Sequence, residues 1–287
     1  MGIPFPGQTG PLNAITDVAG TAVGHVTLIE GEGRLVPGKG PIRTGVTAIL
    51  TRPRGNWDPV FAATFNQNGN GDMGCNGFKG GIGTSSRVLT AAQGGYTVGV
   101  LVQCNYGGDL RILGAPIRPE ITDLGTCTVL PQPLSRPWTT GIPPCPASGR
   151  GGADDGAIAY HEGRGSIIVV VATDAPLLPH QLERIARRVG MGLGRLGSFA
   201  GNSSGDLFLA FSTANQRAAS GDGTPALVML PNDRIDPLFQ ATIDATEEAV
   251  VNAMLAARTM TGVDGIRVFG LPGDRVVAAL KKYNRMK

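Results

Sequence analysis

Residues Gly163-Arg164-Gly165-Ser166-Ile167-Ile168-Val169-Val170-Val171-Ala172 run from glycine-bearing backbone straight into an unbroken apolar stretch dominated by β-branched side chains. Such a run has the composition of a strand buried on both faces, where no apolar–polar alternation is required. The serine at the seam has two readings. It can start the strand and point its hydroxyl at a nearby backbone group. It can also become a new amino terminus, if the chain is cut between Gly165 and Ser166.

Outward from this strand, the carboxyl-terminal side reads as strand, helix, strand, helix. Asp174-Ala175-Pro176 ends the first strand, and Pro179 to Gly190 places Leu182, Ile185, Ala186 and Val189 at helical spacing. Gly205 to Ala214 reads as a second strand, Thr242 to Met260 as the longest helix, and Asp274 to Tyr283 as a closing helix. On the other side, Val23 to Ile29, Gly45 to Leu50 and Tyr96 to Gln103 are strand-like, with a glycine-rich segment from Phe78 to Arg87. Residues 131–156 carry many prolines and little periodicity, which reads as an exposed loop that leaves the Gly165–Ser166 bond accessible. The pattern implies an α/β (α+β) sandwich, expected to form a single domain over 1–287.

Composition narrows the function classes. The chain has 287 residues, is 41% hydrophobic and carries a formal net charge of +3, so it has material for a sizeable core and no general attraction to nucleic acid or an anionic membrane. No apolar run reaches membrane-spanning length, and the amino terminus lacks the charged-then-apolar pattern of a secretion signal. Cys75, Cys104, Cys127 and Cys145 have neither CxxC pairing nor zinc-ligand spacing. They are expected to be free thiols in a soluble, cytoplasmic protein.

Two motifs match only on paper. Gly69-Asn70-Gly71-Asp72-Met73-Gly74 fits G-x-G-x-x-G, but the glycine-rich residues after it cannot open the helix that a dinucleotide site needs. Gly201-Asn202-Ser203-Ser204-Gly205 fits G-x-S-x-G, yet a strand-like segment follows and no histidine lies downstream of it. His25, His161 and His180 share no spacing and read as structural or surface residues. The arginines on the Pro179 helix read as a solvated face. A serine nucleophile would therefore need another base. A free α-amino group has an unperturbed pKa of about 7.7–8.0, and an amino-terminal serine carries one on its own Cα.

Several stretches together resemble the L-aminopeptidase/D-esterase-amidase family of self-processing hydrolases, which includes the β-peptidyl aminopeptidases. They are residues 10–20 (GPLNAITDVAG), 43–47 (RTGVT), 77–87 (GFKGGIGTSSR), 98–107 (VGVLVQCNYG), 165–182 (GSIIVVVATDAPLLPHQL), 204–215 (SGDLFLAFSTAN) and 245–254 (ATEEAVVNAM). They keep the family's order across most of the chain. The resemblance implies a four-layer αββα sandwich of the amino-terminal-nucleophile kind and self-cleavage into 1–165 and 166–287. It implies Ser166 as nucleophile, Ser204 and Asp206 as its supporting turn, and Asn105 as donor to the oxyanion. It also implies a small peptide or amide substrate, assembly into a homo-oligomer (a tetramer of processed protomers), and no metal or organic cofactor. The family's members carry a longer insertion where Phe65 to Gly77 here bridges directly, and a glutamate where Asp206 stands. The same acyl-serine could serve an acyltransferase, and an intact chain could be a non-catalytic relative.

Overall fold

The β-branched run occupies the centre of a five-stranded sheet. The computed structural model describes residues 1–67, 75–131, 142–146, 165–202, 204–219 and 223–287. In chain order the elements are β1 (Ala22–Glu30), β2 (Ile42–Leu50), β3 (Phe61–Asn66), β4 (Ile82–Val88) and β5 (Thr97–Tyr106), then the short β6 (Arg111–Ile112), β7 (Ala115–Pro116) and β8 (Cys127–Thr128). They continue with β9 (Gly165–Thr173), α1 (Pro179–Arg195), β10 (Leu207–Ser212), α2 (Asp236–Ala256), β11 (Met260–Thr261), β12 (Ile266–Val268) and α3 (Gly273–Lys282). The main sheet has the order β3-β10-β9-β5-β4, with β9 parallel to β10 and antiparallel to β5. The parallel β9–β10 pair needs a long connection, and α1 lies within it. The mixed α/β class expected from the sequence is the one observed.

The two faces of the sheet are covered differently. Ile167, Val169 and Val171 of β9, Val98, Val100 and Val102 of β5, and Phe208 and Ala210 of β10 belong to one buried cluster with Leu182, Ile185 and Val189 of α1 and Ala245, Ala249 and Val250 of α2. On the opposite face Leu101, Ala172 and Phe211 pack with Ile15 and Val18, and with the partly buried Val23, Ile49 and Val60. This second cover is incomplete. Ile168, expected to be enclosed like its neighbours, is 43% exposed.

Helix α2 departs from its sequence reading at both ends, starting at Asp236 and stopping at Ala256. A proline in the first turn makes the early start possible, because the amide it lacks has no helical partner there anyway. Thr246, Glu247 and Glu248 are buried on it. Glu248 receives the Asn13 amide at 2.6 Å and the Ser85 hydroxyl at 3.1 Å, and pairs with the buried Arg87 guanidinium at 2.7 Å. Gly83 on β4 is where the helix comes closest: a Cβ there would lie 2.1 Å from the Ala249 carbonyl oxygen. Strand β3 was not foreseen, and its alternating half-buried and exposed residues mark it as an edge strand beside β10.

The free-thiol expectation is corrected. Cys75 is bonded to Cys104, and Cys127 to Cys145. No spacing rule could pair them, because the fold alone brings the members of each pair together. In the loop-closure model each bond contributes roughly 3–4 kcal/mol of stability. Alkylation of the denatured, unreduced protein is expected to label none of the four cysteines, and prior reduction to expose all of them and lower the unfolding midpoint. Full labelling without reductant would refute both bonds.

Candidate active site

Ser166 is the second residue of β9, and its surroundings follow from strand register. Side chains alternate along a strand, so Ser166, Ile168, Val170 and Ala172 share the face opposite the helices. Asn105 of β5 is the antiparallel partner of Ser166, which puts both side chains on this face with Cβ atoms about 4.5–5.5 Å apart. On the other flank the chain enters β10 through Ser204-Gly205-Asp206, and Gly165 forms a parallel bridge with Ser204. The Gly205 amide donates to Ser166 Oγ at 3.1 Å. The fold thus brings together all five residues singled out in the sequence: Gly165, Ser166, Asn105, Ser204 and Asp206.

Asp206 organises the turn. Its Oδ1 accepts the Ser204 hydroxyl at 2.6 Å and the Ile167 amide at 3.2 Å, while its carbonyl accepts the Gln67 amide at 2.9 Å. Both Ser204 and Asp206 are buried. Burial pushes the Asp206 carboxyl above the usual aspartate range, an effect that the bonds from Ser204 and Ile167 partly offset. A buried acceptor beside a strand-starting serine can hold a neighbouring ammonium and fix a hydroxyl's direction.

Gly165 has a backbone that only glycine tolerates easily. Its φ is +115°, and a Cβ would lie 2.6 Å from Tyr106 Cα and 2.7 Å from the Asn105 carbonyl oxygen. Tyr106 is fully buried next to it, its hydroxyl accepting the Asn76 side-chain amide at 3.2 Å and its carbonyl the Asn76 backbone amide at 2.7 Å. Sequence reasoning missed this Asn76–Tyr106 brace and the Gly205 amide. The available signal was that Tyr106 and Gly205 belong to stretches already singled out, VGVLVQCNYG and the SGD turn, while Asn76 lies one residue before GFKGG.

Other candidates stand apart. His25 and His180 are exposed on β1 and α1, while His161, Ser203 and the Gly69–Gly74 motif lie outside the described residues. The α1 arginines are engaged rather than simply solvated: Arg184 and Arg188 lie over the Phe239 ring, and Arg187 over Phe65 while pairing with Glu183. A surface hollow lined by Leu130, Pro144, Pro146 and Arg267 includes no residue of the five-stranded sheet. Among the described residues no group of three His, Cys, Asp or Glu side chains could hold a metal ion, and no helix is long and apolar enough to cross a membrane. Gly165→Ala is expected to cost about 1–3 kcal/mol in chemical denaturation, from the unfavourable backbone angle and the lack of room. Unchanged stability would contradict the positive φ.

Comparison with known proteins gives this geometry a family. The model of Peptidase family S58 matches residues 13–74 and 72–268. The beta-peptidyl aminopeptidase BapA of Sphingosinicella microcystinivorans is 36% identical over 382 aligned residues, covering 100% of this chain and 92% of its own. That alignment is longer than the 287 residues here, so the relative carries segments this chain lacks. The family match breaks and resumes at 72–74, inside the Phe65–Gly77 stretch read as shortened. A Burkholderia sp. beta-aminopeptidase superposes with a TM-score of 0.76 at 31% identity, covering 98% of this chain and 97% of its own. The L-aminopeptidase D-Ala-esterase/amidase of Ochrobactrum anthropi, a variant of the Ntn (amino-terminal-nucleophile) hydrolase fold, does so at 0.79 and 32%, covering 100% and 98%. Full-length likeness in sequence and in fold leads to one conclusion: the chain is a hydrolase and belongs to peptidase family S58, a family of aminopeptidases.

Proposed function

We propose that this hydrolase is an amino-terminal-serine aminopeptidase or amidase. It cuts its own Gly165–Ser166 bond and then uses the freed serine to remove amino-terminal residues, D- or β-residues among them, from short peptides, amides and esters. The observation that carries the reading is the placement of Ser166 Oγ on the Gly205 amide, at the start of a central strand and beside the buried Ser204–Asp206 pair. No histidine is needed. In processing, Ser166 Oγ attacks the Gly165 carbonyl carbon, the C–N bond breaks, and the acyl group rests on oxygen while nitrogen becomes a free amine. Water then hydrolyses that ester, leaving a carboxylate on Gly165 and a hydroxyl on Ser166.

In turnover the same oxygen attacks the substrate amide, and its proton passes to the Ser166 α-amine and on to the leaving amine. Water then releases the acyl group. Asn105 donates to the oxyanion, a contact of a kind whose loss typically costs about 2.7–4 kcal/mol of transition-state stabilisation. Asp206 steadies the ammonium, and Ser204 orients it by donating to Asp206. The active protein is a single 1–287 domain that becomes two chains, and its protomers assemble into a tetramer. An apolar outer face on the β1–β2 ribbon supports assembly: Val26 and Val46 are cross-strand partners, 68% and 67% exposed. Two disulfides favour an oxidising compartment over the cytoplasm that composition suggested.

Intact mass under denaturing conditions is expected to give two species that sum to the chain plus one water, and Ser166→Ala a single uncut species inactive on p-nitroanilides. A Ser166→Ala protein that still cuts itself and turns over would end the proposal. On the acid side kcat/KM depends on two groups: the Ser166 α-amine must lose its proton, with an unperturbed pKa of about 7.7–8.0, and Asp206 must ionise, at higher pH than an exposed aspartate because of its burial. Asp206→Asn is expected to remove the carboxyl step while the amine step stays, and to lower kcat/KM by about 100-fold or more, whereas a carboxyl step unchanged in the variant would assign it to another group.

A further inference from the structure

The sheet face that carries Ser166 is ordered in transverse rows. Residues Leu101, Val170 and Leu209 of β5, β9 and β10 are register partners, and so are Gly99, Ala172 and Phe211. These rows lie beneath the cover of Ile15, Val18 and Val23, with Leu101, Ala172 and Phe211 nearly inaccessible. The next row toward the serine runs across all five strands as Ile82, Gln103, Ile168, Leu207 and Asn66. Here the cover stops. Ile168 is 43% and Leu207 40% exposed, and both Gln103 and Asn66 are exposed beside them.

Apolar side chains left open on an otherwise packed sheet face lie one pleat from the nucleophile. Ile168 follows Ser166 by two residues, about 6.5–7 Å along the strand, and Leu207 lies about 4.8 Å beside it. An acyl carbon placed about 3–3.5 Å from Ser166 Oγ carries its own side chain within van der Waals reach of this row. We infer that Ile168 and Leu207 form the floor of the subsite for the side chain of the residue that acylates Ser166. Gln103 and Asn66 mark its polar edges, so the apolar strip is two residues wide. No residue in the row is charged, so the floor favours an aliphatic side chain of valine or leucine size and has no partner for lysine or aspartate.

The inference rests on the amidase reading and can fail separately from it. The test compares kcat/KM for glycine, alanine, leucine, lysine and aspartate p-nitroanilides in wild type, Ile168→Ala/Leu207→Ala and Gln103→Leu, with denaturing mass and sedimentation on each. Wild type is expected to prefer leucine over glycine, lysine and aspartate. The double variant should stay processed and lose about 10-fold or more of its leucine-to-glycine ratio. Gln103→Leu, which widens the apolar strip without removing any of it, should raise that ratio by about 3-fold or more. Hydrolysis that persists with the ratio unmoved in both variants overturns the subsite and leaves the amidase standing. A changed oligomeric mass with unmoved preference overturns it too, by assigning the row to a second copy of the chain. Wild type that cleaves neither this panel nor its D- and β-residue counterparts overturns both readings.

Discussion

Asp206 is the constraint from which the site is built. A carboxyl group out of contact with water is costly unless its lone pairs are used, and Asp206 spends them on the Ser204 hydroxyl and the Ile167 amide. One of these partners lies in its own turn, the other on the neighbouring strand. The same oxygen that satisfies the turn therefore fixes where β9 begins relative to β10. Ser166 falls between them, on the Gly205 amide. Its direction is set by backbone rather than by a flexible side chain, and backbone donors need little reorganisation when charge develops.

Away from this point the scaffold is tied by a second polar system at the β4 edge of the sheet. Asn13 reaches Glu248 and also accepts from the Ser85 hydroxyl and the Ser86 amide, while Arg87 closes the group. Asp17 accepts the Ser86 hydroxyl and the amides of Leu12 and Ala14. The amino-terminal segment, β4 and α2 are thereby locked together. The stretches that carry the family resemblance in these regions, GPLNAITDVAG, GTSSR and ATEEAV, supply most members of this network.

Legibility in the sequence followed the physics of each element. The apolar run of β9 and the helical spacing of α1 depend on nearest neighbours and were readable directly. Burial on both faces of β9 was overestimated, because one row of that face stays open at Ile168, a tertiary fact with no local signature. The start of α2 was misplaced by the proline in its first turn, and the burial of its Glu247 and Glu248 had no local signal because their partners lie far away in sequence. Cysteine pairing was invisible for the same reason. Of the site, the side chains were named from the resemblance, whereas the Gly205 amide and the Asn76–Tyr106 brace could be found only in three dimensions.

The strand order has one more outcome. Counting from the seam, β3, β5 and β4 come before residue 165, and β10 with nearly all of β9 comes after it. A cut at that seam would leave a sheet woven from two polypeptides, with the later pair inserted between β3 and β5. Neither piece could slide out without unzipping two ladders at once and uncovering the helices. Both disulfides lie wholly within the earlier piece, so no covalent link would join the two. The halves would be inseparable when folded, yet denaturant alone would part them.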